Sequence, residues 1–108
     1  MRLTTDLWLS AWRLRCETAG VFLHVVHRGD PTAGDVLVKV SFMDGRASLW
    51  SRAPLADPDA IGPAPFVEEV AAMDEREVDA VVARRRGRDR DLWVVEVEDR
   101  HGRHLLET

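Results

Sequence analysis

The chain has 108 residues, 45% hydrophobic and 31% charged, with a formal net charge of −4. That size and balance describe one folded domain, residues 1–108, that buries a core without staples, and they exclude a disordered chain. The acidic balance argues against broad binding to phosphate backbones, and the single cysteine, Cys16, excludes an intrachain disulfide framework and suits a reducing cytoplasm.

Thr4, Thr5 and Asp6 supply capping residues for a helix of about Asp6 to Thr18, closed by Gly20. Asp6 and Arg13 interrupt the one early apolar run, so neither a signal peptide nor a membrane span is expected. At helical spacing Leu7, Ala11, Leu14 and Thr18 align, and Trp8 and Trp12 widen the stripe, which predicts this arc as the buried one. Arg15 falls inside it. Its expected place is against Trp8 or Trp12, with the guanidinium reaching the sheet margin near Glu96 or Glu98.

Val21 to Arg28 reads as a strand, and Gly29 to Gly34 as a turn-rich connector. Asp35 to Met43 reads as a second strand. Val36, Val38, Val40 and Phe42 share its core face with Leu49 of the next strand, while Leu37, Lys39, Ser41 and Met43 share the other. Asp44-Gly45 predicts a two-residue type I′ hairpin that pairs Met43 with Arg46, Phe42 with Ala47, Val40 with Leu49 and Lys39 with Trp50. In that register Lys39 and Trp50 are a candidate binding pair, a cation beside an indole on the less apolar face.

Arg52 to Pro65 holds four of the five prolines and reads as a long surface loop. Phe66 to Val70 is a short fourth strand. Asp74-Glu75-Arg76-Glu77 is a capping signature for a second helix running to about Arg86, with Val78, Val81 and Val82 on its apolar face and Gly87 as its stop. Asp91 to Leu106 is the stretch around which the rest is arranged. Leu92 to Val95 is apolar throughout, as in a strand covered on both faces, and Glu96 and Glu98 then alternate with Val95 and Val97. Asp99-Arg100-His101-Gly102 offers a turn, after which Arg103 to Leu106 returns as a short edge strand. The expected fold class is α+β: an antiparallel sheet of five to six strands with two helices, in the order α-β-β-β-(β)-α-β-β, one sheet under one helical layer.

The stretches DLWLSAWRLR, RGDPTAGDVLVKV, EVDAVVARR and above all DLWVVEVEDRHGRHLL resemble the alphaproteobacterial family called domain of unknown function 1491. The resemblance covers nearly the whole chain. Arg52 to Pro65 has no counterpart in it, and Arg90 stands where the family's Asp-Pro-Asp-Leu-Trp-Val run has proline. It implies a small cytoplasmic bacterial protein without an assigned activity, and it transfers no catalytic residue.

Candidate chemistry is sparse. His24 and His27, three apart on one strand, are expected on opposite faces and unable to share an ion. His101 and His104 flank a turn with Glu98 and Asp99 near, a candidate binding cluster whose spacing matches no zinc pattern. The run Arg84 to Arg90, with Arg84, Arg85 and Arg88 as candidates, could clamp a phosphate or an RNA loop. With fourteen arginines against one lysine, the blander reading is a helix end in an arginine-biased chain. The element order resembles a nuclease core, but the strand that should carry an acid and a lysine reads Ala47-Ser48-Leu49-Trp50. No metal, cofactor or catalytic residue is expected.

The leading expectation is a non-catalytic cytoplasmic protein-interaction module that binds an unidentified protein partner, or a second copy, through its sheet edge; the alternative is RNA or phosphate binding by the arginine run. The edge is assigned to Arg103–Leu106, where adjacent Leu105 and Leu106 must leave one leucine outward.

Overall fold

The computed structural model describes residues 3–53 and 64–108, so most of the expected proline-rich loop lies outside the described residues. Helix α1 (Thr5–Thr18) is followed by strands β1 (Phe22–His27), β2 (Val36–Ser41), β3 (Arg46–Arg52) and β4 (Phe66–Asp74), then helix α2 (Glu75–Arg88) and strand β5 (Trp93–Glu98). They form a five-stranded sheet in the order β1-β5-β2-β3-β4.

The α+β class holds, but the sheet is mixed rather than antiparallel. β5 lies between β1 and β2, antiparallel to the first and parallel to the second. A parallel pair requires a crossover connection, and β3, β4 and α2 together supply it. The consequence is two helical positions instead of one layer. Val36, Val38 and Val40 of β2 join Leu9, Trp12 and Cys16 of α1 in one core. Leu37, Leu49 and Val94 pack with Val78 of α2 in the other. β2 and the first half of β5 are therefore covered on both faces, which accounts for their nearly unbroken apolar runs.

The hairpin between β2 and β3 is one residue off the expected register. Val38 faces Trp50, Lys39 faces Leu49 and Ser41 faces Ala47. Its loop is Met43-Asp44-Gly45, closed by the Phe42 N–H donating to the Arg46 carbonyl at 3.0 Å. Met43 and Gly45 both take positive φ, 62° and 89°. The Asp44 carboxylate accepts the Arg46 N–H and pairs with its guanidinium. The extra residue turns Leu49 and Ala47 toward α2 and moves Trp50 to the α1 side. Both aliphatic rows are thus buried, and Lys39 and Trp50 lie on opposite faces.

α1 is rotated about its axis from the expected setting. Leu9, Trp12 and Cys16 are buried, whereas Leu7 and Leu14 are exposed. Trp8 stacks between Trp12 and Phe66, with centroids 5.2 and 5.3 Å away, and burial of these large rings outweighs that of two leucines. Arg15 is exposed, and Glu96 lies on the other side of the sheet beneath α2, so the expected Arg15 contacts do not form. α2 begins as expected, with the Asp74 carboxylate accepting the Arg76 N–H, but runs through Gly87 to Arg88. β4 extends four residues beyond the expected Val70.

Arg103–Leu106 is not a strand. The tail crosses the α1 side: the Trp12 indole N–H donates to the His104 carbonyl at 2.8 Å, and the Phe66 N–H to the Glu107 carbonyl at 2.7 Å. Leu106 is buried, while Leu105 takes a positive φ of 55° and stays outside. The tail thus covers the start of β4, and among the described residues β1 is the edge with no segment paired along it.

Candidate functional site

The densest polar cluster lies on the α2 side, where strand register decides its composition. Glu96 of β5 is opposite His24 of β1 and opposite Lys39 of β2, so three adjacent strands place His24, Glu96 and Lys39 in one row. The first turns of α2 add Glu75 and Asp79, four residues apart and so on one helix face. The Lys39 ammonium lies 2.6 Å from Asp79 Oδ1, 2.9 Å from Glu75 Oε1 and 3.1 Å from Glu96 Oε1. The second Glu96 oxygen, Oε2, is 3.1 Å from His24 Nε2.

Burial opposes the Lys39 charge, but hydrogen bonds to Asp79, Glu75 and Glu96 more than offset it and hold the ammonium pKa above its ordinary value. A lysine held charged serves neither as a nucleophile nor as a general base. Glu98 follows Glu96 on the same face and forms no ion pair among the described residues. His24, Glu96 and Glu98 bring one ligand atom each to within 4.8 Å of one another. α2 packs on β2, β3 and β4, leaving Phe22 and His24 beside these carboxylates without a covering helix.

The other expected candidates are scattered. Trp50 packs on His104 on the α1 side, ring centroids 4.4 Å apart. His104 Nδ1 accepts the Leu106 N–H, and burial lowers the His104 pKa, so this ring is neutral and serves packing. His101 is exposed on its turn. Arg85 is paired with Glu69, while Arg84 and Arg88 sit on the exposed end of α2. Arg86 and Arg90, with His27, line an open groove. Cys16 is buried, and burial raises its thiol pKa, which leaves it unreactive.

Sequence reasoning missed His24, Glu75, Asp79 and Glu96 as a set. The parallel β2–β5 pairing that unites them has no local sequence signal. A bulge at Val25–His27 also puts His27 opposite Val94, on the same face as His24, whereas strict alternation had separated them.

Asp99 is structural. Its carboxylate accepts the His101 and Arg103 N–H groups and pairs with the Arg103 guanidinium at 2.8 Å. Arg103 holds the Asp99 pKa down to about 2, against a smaller opposing effect of burial. A depressed carboxylate stabilises the fold above its unfolded value near ~4, and that contribution disappears as pH falls through about 2. Asp99→Ala is expected to lose about 1–2 kcal/mol at pH 7 in urea denaturation, because two turn amides lose their acceptor. The gap to the parent should shrink between pH 4 and pH 2.

A family described as protein of unknown function (DUF1491) matches the chain over residues 3–107. The crystal structure of a DUF1491 family protein from Caulobacter crescentus CB15 is 40% identical, with a TM-score of 0.78 over 96% of this chain and 92% of that one. An NMR structure of a DUF1491 family protein from the same organism is 42% identical, with a TM-score of 0.81 over 98% and 94%. A solution structure of a protein from A. tumefaciens is 34% identical, with a TM-score of 0.78 over 91% and 86%. No curated protein matches the chain.

Proposed function

The chain belongs to the DUF1491 family, and from its surface we propose that it is a non-catalytic protein-interaction module whose partner is a second copy joined along β1. The observation that carries this reading is the contrast between the two sheet edges. β4 is guarded by Glu68, Glu69 and Asp74, is irregularly paired with β3, and has its first amide taken by the tail. β1, Phe-Leu-His-Val-Val-His, contains no lysine, proline or acid, and its one guard is the bulge at Val25–His27. Phe22 and Val26 are exposed by 61% and 49%. An antiparallel pairing of β1 with its own copy satisfies two-fold symmetry and gives one continuous sheet across the dimer.

Light scattering tests it. The expected result is a two-chain mass for the parent and a one-chain mass for Val26→Lys, with the melting temperature of the subunit preserved. A parent that stays monomeric at high concentration overturns the reading. So does a dimer that survives Val26→Lys and dissociates on Leu14→Glu, which would place the interface on the exposed face of α1. The phosphate alternative is supported by the groove of Arg86, Arg90 and His27, but Arg85 is already engaged by Glu69. Salt-sensitive retention on immobilised RNA, lost on Arg86→Met, would favour it.

A further inference from the structure

We propose that His24, Glu96 and Glu98 form a binding site for a divalent ion of the zinc class on the open half of the α2-side sheet face. The proposal does not depend on self-association.

Three observations support it. The first is geometric. His24 Nε2 and Glu96 Oε2 are 3.1 Å apart, and two bonds of ~2.0–2.1 Å to one ion at near a right angle span about 3 Å. Glu98 completes a set within 4.8 Å from the next outward position of β5. All three residues stand on paired strands whose register fixes their spacing, so little ordering is required on binding.

The second is charge. Among the described residues Lys39 is the cation paired with Glu75, Asp79 and Glu96, and with Glu98 these four carboxylates carry three negative charges in excess of it. Lys39 engages Glu75, Asp79 and Oε1 of Glu96. Oε2 of Glu96, which faces His24, and the Glu98 carboxylate are not engaged by Lys39.

The third is the state of the imidazole. His24 Nδ1 is buried and has no hydrogen-bond partner among the described residues. Among the described residues Glu96 is the ring's polar contact, and Phe22 packs against it with centroids 5.9 Å apart, so an ion competes with one polar contact. A nitrogen donor beside two carboxylates selects borderline ions such as zinc over calcium and magnesium, which prefer all-oxygen sets. Three protein donors leave a position for water. Because Nδ1 has no acceptor to orient the metal-bound ring, affinity should be roughly 10–100-fold below that of a fully supported site.

The test is zinc titration of the full chain against a chromophoric chelator at pH 7.5. One ion per chain is expected, with His24→Ala and Glu98→Gln each weakening binding at least tenfold. His101→Ala should leave binding unchanged. Glu98→Gln keeps the side chain's shape, so a loss there reports on the ligand and not on folding, which circular dichroism of each variant checks. Calcium should compete poorly. Absence of saturable binding overturns the proposal, as does binding that survives both ligand variants.

Discussion

Trp12→Ala is expected to cost about 4 kcal/mol in chemical denaturation and to expose the C-terminal tail to proteolysis after Gly102. Trp12 is fully buried and among the largest side chains of the α1-side core. Its removal leaves a cavity beneath Trp8, which is itself stacked on Phe66. It also removes the indole N–H that holds the His104 carbonyl. Trp12→Phe separates the two effects: it keeps most of the volume, loses the hydrogen bond, and should cost roughly half as much. If the tail stays protected in Trp12→Ala, the indole bond is not what anchors it. The same anchorage means that deleting residues 104–108 should destabilise the fold rather than simply trim an edge.

Lys39→Met is expected to cost about 3 kcal/mol. The Lys39 side chain is 11% exposed and Glu96 is 17% exposed, so removing the ammonium strands a carboxylate with little access to water. Glu75 and Asp79 are more open and are rehydrated, which keeps the loss at the lower end of the range for a broken buried pair. Adding Glu96→Gln should recover about half of the loss, because the buried group left behind is then neutral. The raised Lys39 pKa makes its contribution fully present through neutral pH, lost only as pH climbs past the ordinary lysine range. A Lys39→Met protein as stable as the parent would show that the network is solvated and contributes nothing.

Local patterning was sufficient to read most of the elements. Both helices, β1, β2 and β3 were legible from capping residues, alternation and the Asp44-Gly45 turn, because each signal lies within one or two turns of chain. The apolar run Leu92–Val95 also announced a strand covered on both faces. What that run could not announce was its neighbours. A strand at the centre of a sheet pairs with segments far away in sequence, here β1 and β2, and parallel pairing leaves no turn residue as a marker.

The largest error follows from that gap. Reading Asp91–Leu106 as a hairpin placed the open edge at the tail, whereas the tail is tied to Trp12 and Phe66 and the open edge is β1. The α1 stripe was assigned from Leu7, Ala11 and Leu14, but which arc is buried depends on which rings find a core to stack in. The bulge at Val25–His27 and the three-residue hairpin loop each shift side chains between faces by one residue, and neither has a unique sequence signature. Composition and short-range pattern therefore determined the helices, β1 to β3 and the α+β class. Only the tertiary structure decided that His24, Lys39, Glu96, Glu75 and Asp79 meet, because their meeting depends on long-range strand register and on the side of the sheet to which the crossover carries α2.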